Sequence, residues 1–222
     1  MVRQPKFRKS TNLKYRLLSA IILIPLSLYI IYLGPPFSLV LWASVTLCLF
    51  IEWFFLCLKN KLPLWQKLAC ILLGSSYLIF SILWIFQFFS TGEGWKFIFW
   101  LLFLVWSTDT AAYVGGIFFK GPKLAPSISP NKTWSGFFAG MLGGTIVSYE
   151  ASFWLFPGVF NFWGIVLLVL IAQAGDLLES QAKRWSQLKD SSPLIPGHGG
   201  FLDRLDSFLA ISFALALWQV WY

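Results

Sequence analysis

Residues 37–58 read FSLVLWASVTLCLFIEWFFLCL, an apolar run whose only charged residue is Glu52. A run of that length crosses the ~30 Å hydrocarbon core of a bilayer as an α-helix, which also satisfies its own backbone polar groups where there is no water to do so. Gly34-Pro35-Pro36 precedes it and Lys59 follows. Six further apolar blocks lie at about 16–34, 68–90, 96–119, 136–156, 160–178 and 205–222. Only the Gly-Pro-Pro turn separates the block at 16–34 from the one at 37–58, so these two form a tight helical hairpin. Gly74-Ser75-Ser76 interrupts the block at 68–90, which is read as one crossing. The expected fold is all-α: a polytopic transmembrane bundle of about seven helices, within a range of six to eight, with two polar cytoplasmic loops forming the active site.

Composition agrees. Hydrophobic residues are 58% of the 222 positions, charged residues 12%, and there are thirteen tryptophans, against about 25% charged residues in a soluble domain. Cys48, Cys57 and Cys70 lie in or beside apolar segments without metal-ligand spacing and read as packing residues. The N-terminal apolar run has no small-residue cleavage pattern after it and is expected to be a retained helix.

Basic residues orient the bundle. With the N-terminal group Arg3, Lys6, Arg8, Lys9, Lys14 and Arg16 in the cytoplasm, seven crossings also bring Lys59, Lys61, Lys67, Lys120, Lys123, Lys132, Lys183, Arg184, Lys189 and Arg204 to that side. Sixteen of the seventeen basic residues are then inside and only Lys96 is outside, a strong positive-inside bias. The net charge of +8 therefore reflects orientation and attraction to anionic lipid, and nucleic acid is not an expected partner.

Acids in such a chain are informative, because an ionised group in the hydrocarbon must face a cavity, a partner or water. Glu52 and Glu150 have no polar constellation near them in sequence and read as acids paired within the bundle or near a helix end. Asp109 lies in Trp106-Ser107-Thr108-Asp109-Thr110-Ala111-Ala112-Tyr113-Val114-Gly115-Gly116. Residues 109, 113 and 116 share a helix face, which serves equally as a site wall or as a small-residue packing seam. Asp176, Ser180, Lys183 and Arg184 form a polar stripe at the cytoplasmic end of the sixth helix. Asp203 and Asp206 share a face where the seventh helix starts, and Asp203 is also placed to cap that helix.

Carboxylates converging from separate helices repel one another unless a cation lies between them. Oxygen ligands alone favour Mg²⁺ or Mn²⁺ over zinc, and magnesium characteristically shares its shell with substrate phosphates. Lys183, Arg184, Lys189 and Arg204 would neutralise the remaining phosphate charge. The glycines of Pro196-Gly197-His198-Gly199-Gly200 admit close approach of backbone amides to a ligand. His198, the only histidine, cannot by itself make a zinc site. In the loop from Lys120 to Gly136, prolines stiffen an irregular backbone, and Ser129, Asn131, Lys132 and Thr133 offer donors to a phosphate or a base. An ordinary basic loop with a Ser/Thr helix cap explains the same residues, and the Walker pattern is absent. These features leave open a lipid- or isoprenoid-directed nucleotidyltransferase or kinase and, from a different class, an ion-coupled transporter.

The run S-Q-A-K-R from Ser180, then Lys189-Asp190, then P-G-H-G-G-F-L-D-R-L-D through Asp206, resembles the signature of the phosphatidate cytidylyltransferases, the CDP-diacylglycerol synthases. The segment from Trp106 to Gly116 and the Ser129-Pro130-Asn131-Lys132-Thr133 loop resemble two further blocks of that family, in the same order. The resemblance covers the chain from about residue 105 onward. Ala182, Ser135 and the order Lys120-Gly121 depart from the family pattern, and none of them is a candidate metal ligand.

The resemblance implies transfer of a cytidylyl group from CTP to phosphatidate, yielding CDP-diacylglycerol and pyrophosphate for phospholipid synthesis. It implies Mg²⁺ as cofactor, held by Asp176, Asp203 and Asp206, with a second monovalent or divalent cation as an open alternative. Lys183 and Arg184 join these aspartates as the catalytic set, orienting phosphates. Asp109, Ser129, Asn131, Lys132, Thr133, Ser180, Lys189, Asp190, His198, Gly199, Gly200 and Arg204 are implied as substrate-binding or supporting groups. The implied partners are CTP, phosphatidic acid, anionic membrane lipid and a second copy of the chain in a homodimer. The expected organisation is an N-terminal helical scaffold over 1–104 and a catalytic region over 105–222, integrated in one multi-pass domain of a bacterial inner membrane with the N-terminus and both loops cytoplasmic.

Overall fold

Each apolar block becomes one helix. A computed structural model describes residues 9–59, 62–89, 94–195 and 199–221, and side chains over the same ranges except at 9–18, 220 and 221. Seven helices are described: α1 (Lys9–Leu33), α2 (Phe37–Lys59), α3 (Leu64–Phe89), α4 (Gly94–Phe119), α5 (Trp134–Leu155), α6 (Phe162–Trp185) and α7 (Leu202–Trp221). Four stretches, Phe37–Lys59, Leu64–Phe88, Gly94–Phe119 and Phe162–Trp185, are long and apolar enough to cross a membrane. With the apolar Ser19–Leu33 of α1, they make the chain a multi-pass membrane protein of all-α class.

The Gly74-Ser75-Ser76 interruption does not break α3. Gly74 is a notch for the Trp53 indole, since a Cβ there would lie 2.0 Å from Trp53 Cε2. The segment before α5, expected to be irregular, contains a short antiparallel hairpin instead. Strand β1 (Lys123–Ala125) pairs with β2 (Ser129–Thr133), Lys123 opposite Thr133 and Ala125 opposite Ser129. Thr133 then caps α5 by accepting from Gly136 N at 3.1 Å, and Asn161 caps α6 by accepting from Gly164 N at 2.6 Å, each satisfying an amide the helix leaves free.

The closest helix pair, α4 against α5, is built from small residues. Gly136, Gly140 and Gly144 recur every fourth position along α5, one above another on one face. A Cβ on Gly144 would lie 2.2 Å from Thr108 Oγ1, one on Gly143 2.6 Å from Ala111 Cβ, and one on Gly115 2.2 Å from Ala139 Cβ. The small-residue reading of the Trp106–Gly116 segment therefore holds for Thr108, Ala111, Ala112, Gly115 and Gly116. Tyr113 does not join that seam and is 71% exposed.

Side chains stitch helices that lipid alone would not hold together. Trp100 Nε1 donates to Ser148 O at 3.0 Å, Ser81 Oγ to Leu209 O at 3.1 Å, Ser207 Oγ to Ala172 O at 2.9 Å, and Ser186 Oγ to Leu56 O at 2.7 Å. In a membrane each such bond contributes about 0.6 kcal/mol, so the set acts through number and direction. Aromatic rings close one end of the bundle, with Phe88 stacked on Phe97 and Trp100 on Phe160, both at 4.3 Å between centroids. The end of α2, the β1–β2 hairpin and the start of the loop after α6 gather at the opposite end. Arg184 of α6 bonds to Ile128 of the hairpin, and Ser186 to Leu56 of α2.

Candidate active site

Toward the loop end, the middle of α4, the C-terminal half of α6, the loop after it and the first turns of α7 enclose a cavity of about 330 Å³. Its walls carry Asp109, Asp176, Lys183, Asp190, Asp203, Arg204 and Asp206, with Val105 and Trp106 as the apolar side. Four expected acids, Asp109, Asp176, Asp203 and Asp206, thus meet although they come from three separate helices.

The two lysines of the site are tied to acids. Lys132 of β2 pairs with Asp176 Oδ2 at 2.5 Å, and Ser180 Oγ lies 3.4 Å from Asp176 Oδ1. Lys183 stands between Asp203 Oδ1 at 2.6 Å and Glu179 Oε2 at 2.5 Å, with all three side chains largely buried. Glu179 receives no well-angled hydrogen bond, so the ionic contact to Lys183 is what compensates its burial. Sequence reading missed Glu179, although its i,i+4 spacing to Lys183 signals the pair.

Asp203 takes four donors. Its Oδ1 takes Lys183, while Oδ2 accepts from Ser191 N at 2.9 Å, Ser191 Oγ at 3.0 Å and Gly200 N at 2.8 Å. The capping alternative is therefore realised in part, with the loop amides as donors. Among the described residues no three of His, Cys, Asp and Glu stand grouped to hold one metal ion, and Asp176 and Asp203 each meet a lysine.

Gly199 and Gly200 fold tightly around carboxylates. Gly199 has φ of +85°, and a Cβ on it would lie 2.5 Å from Asp203 Oδ2. A Cβ on Gly200 would meet Ser191 Oγ at 2.1 Å and Glu52 Oε1 at 2.4 Å. Glu52, read from the sequence as an acid paired within the bundle or near a helix end, is bonded within the bundle to the loop that bears the site. Only 1% exposed, it accepts from Ser191 Oγ at 2.9 Å, Ser192 Oγ at 2.5 Å, Phe201 N at 3.0 Å and Leu202 N at 2.8 Å. The expectation that it lacks a polar constellation is corrected: its partners come from a loop far along the chain, which sequence spacing does not reveal. Glu150 is exposed on α5.

Other expected residues stand further out. Arg184 turns from the cavity to donate from Nε to Ile128 O at 2.9 Å and from Nη1 to Leu188 O at 3.1 Å, fastening the hairpin to α6. Thr133 is buried as the α5 cap, Ser129 is half-buried in β2, and Asn131 and Lys189 are exposed. His198, with Pro196 and Gly197, lies outside the described residues.

A second, apolar cleft of about 390 Å³ runs between α1, α2, α4 and α7. Leu23, Ile31, Trp42, Ile98 and Phe208 are among its walls, and it shares Trp106 and Arg204 with the acidic cavity. The site thus joins a charged chamber to a greasy trough.

The model of the cytidylyltransferase family matches residues 7–221. The chain is 34% identical to a phosphatidate cytidylyltransferase of Rickettsia conorii, covering 97% of this chain and 95% of the relative. It is 36% identical to the enzyme of that name from Rickettsia felis, over 89% and 88% of the two chains. A Brucella suis phosphatidate cytidylyltransferase is 47% identical across 56% of this chain and 47% of its own. The match runs through every helix described above and includes both polar loops, so the chain belongs to the cytidylyltransferase family.

Proposed function

We propose that this membrane enzyme transfers the cytidylyl group of CTP to phosphatidate, releasing pyrophosphate and leaving CDP-diacylglycerol in the bilayer. The observation that carries this reading is the junction of the acidic, lysine-bearing cavity with the apolar cleft at Trp106 and Arg204. A substrate with a phosphate head and hydrocarbon tails fits such a junction, with a nucleotide polyphosphate beside the head. The relatives' name supports the same reading.

A phosphate oxygen of the lipid attacks the α-phosphorus of CTP. The bond from that phosphorus to the bridging oxygen breaks and pyrophosphate leaves with its electron pair, so no protein nucleophile is needed. Lys132 and Lys183 are placed to exchange their carboxylate partners for phosphate oxygens, and Arg204 stands where the lipid head meets its tails. Arg184 holds the hairpin over the nucleotide side, with Ser129, Asn131, Thr133, Ser180, Lys189, Asp190 and His198 as further substrate-side groups. The donor chemistry fits a hard divalent cation, since carboxylates from three helices line one cavity and the cysteines lie elsewhere. Asp176, Asp203 and Asp206 would hold Mg²⁺, with Asp109 as the further acid of the cavity. When bound, the ion offsets the charge that otherwise keeps two anions apart.

Residues 1–104 form a scaffold and lipid-facing wall, and residues 105–222 carry the chemistry. The basic loop end faces the cytoplasm of a bacterial inner membrane, and the enzyme works as a homodimer.

The test is release of pyrophosphate by purified protein in detergent with CTP, phosphatidate and Mg²⁺, repeated without lipid, with each other nucleotide, and with Asp176→Asn and Asp206→Asn. Lipid-dependent release confined to CTP and lost in both variants is expected. Equal turnover of another nucleotide would move the assignment to a different nucleotide transferase. No turnover with any nucleotide by folded protein would overturn it.

A further inference from the structure

We infer that Glu52 is a positioning residue of the active site, holding the glycine loop and the start of α7 from a helix that contributes no acid to the cavity. The inference rests on the function proposed above and extends it to a residue outside the acidic chamber.

Three observations converge on Glu52. It is the only charged residue between 37 and 58 and is 1% exposed within a membrane helix, a location that costs several kcal/mol unless the charge is fully bonded. Its two oxygens meet four donors from two places. Ser191 and Ser192 hydroxyls come from the loop after α6, and Phe201 and Leu202 amides from the entry to α7. The loop also passes so near that Gly200 has no room for a Cβ, so the contact is built into the loop's path.

The held atoms lead directly to the site. Ser191 bonds to Asp203 through both its amide and its hydroxyl, and Gly200 N bonds to the same carboxylate. Asp203 in turn fixes Lys183 at 2.6 Å. One residue after Leu202, α7 presents Asp203 and Arg204, and one turn later Asp206, all in the cavity wall. Asp190, also in that wall, adjoins Ser191. Releasing Glu52 therefore frees the loop and the first turn of α7 together. A displacement near 1 Å at a reacting centre lowers turnover by about 100-fold. The lipid cleft keeps most of its walls on α1, α2 and α4, so the loss falls on kcat and leaves KM for phosphatidate in place.

The experiment compares Glu52→Gln and Glu52→Asp with the parent and with Glu150→Gln, a change of the exposed acid on α5. Each is read by kcat and KM for both substrates and by hydrogen exchange of the 199–206 segment in detergent. Glu52→Gln keeps the size but loses the charge, and it turns an NH2 toward either the Phe201 or the Leu202 amide, leaving that amide without its acceptor. The expected result is a kcat about 100-fold lower, both KM values within about threefold, and faster exchange over 199–206, while α4 and α5 exchange as in the parent. Glu52→Asp should recover about tenfold of the lost kcat, and Glu150→Gln should match the parent. A kcat within threefold of the parent, unchanged loop exchange, or equally accelerated exchange in α4 and α5 would each overturn the inference. If Glu52→Gln does not fold, the double change Ser191→Ala and Ser192→Ala removes two of the four donors and is judged by the same readings. A parent without turnover on any nucleotide sinks the proposed function alone, because loop exchange still reports whether Glu52 holds the loop.

Discussion

The Lys132 ammonium on β2 lies 2.5 Å from the Asp176 carboxylate on α6. This pair joins the hairpin to the acidic cavity and leaves each side chain about 30% exposed, within reach of an arriving anion. Lys132→Ala should raise KM for CTP about tenfold, the equivalent of about 1.4 kcal/mol, with a smaller change in kcat. Exchanging the two residues should not restore activity, because the phosphate-side cation and the metal-side acid would have traded places. Steady-state kinetics in mixed micelles decides this, and a fully active exchanged pair would show a purely structural salt bridge.

Trp106 touches both the acidic cavity and the apolar cleft. Trp106→Ala should raise KM for phosphatidate about tenfold and leave KM for CTP within about twofold, as loss of an aromatic wall of the apolar cleft acts chiefly on the lipid. Equal effects on both substrates would speak against the cleft as the seat of the acyl chains.

Removal of divalent cations should bring turnover to background, with Mg²⁺ restoring it fully and Mn²⁺ at least in part, because both accept carboxylate and phosphate oxygen. Ca²⁺ takes a larger, looser shell and should restore little. Turnover that persists in chelator would remove the metal from the proposal.

Substitutions along the α4–α5 seam should act on folding. Gly144→Val forces a side chain into Thr108, whose Oγ1 would already lie 2.2 Å from the new Cβ. Overpacking of this kind destabilises by roughly 1–3 kcal/mol, visible as a lower melting temperature in detergent. Thr108→Ala in the same chain should recover part of the loss. A Gly144→Val protein as stable as the parent would mean that the seam is looser than its geometry.

Gly200→Ala should mimic Glu52→Gln in kcat, since the added methyl would strike Ser191 Oγ and the Glu52 carboxylate. Gly34→Ala, in open space but at φ of +71°, is the contrasting change and should cost stability only, by about 1 kcal/mol.

Apolar block length made the helices legible in the sequence, because crossing a bilayer demands long uninterrupted runs with little ambiguity of type. Block 160–178 fell short of the end of α6 at Trp185, since its last two turns are polar where the helix leaves the hydrocarbon. The hairpin 123–133 was not legible, as three prolines in the loop argue for irregular backbone while its two strands need only a few cross-strand bonds. Within the site, Asp109 and Asp176 could be named from charge placed where charge is costly, and Asp203 and Asp206 from their shared face at the start of the seventh helix. Glu52 carried the same signal, but nothing in local spacing pointed to Ser191, Ser192, Phe201 and Leu202. Glu179 lies one step aside from the polar stripe of Asp176, Ser180 and Lys183, so the stripe alone does not mark it, although its spacing to Lys183 does.

A serine hydroxyl owns a single proton. Ser191 Oγ stands 2.9 Å from Glu52 Oε2 and 3.0 Å from Asp203 Oδ2, so with both acids ionised it can fully satisfy only one of them at a time. The two carboxylates belong to α2 and α7, and what one gains from that proton the other loses. A shift of α2 against α7 would therefore change how firmly Asp203 is held, a seesaw with serine at its pivot.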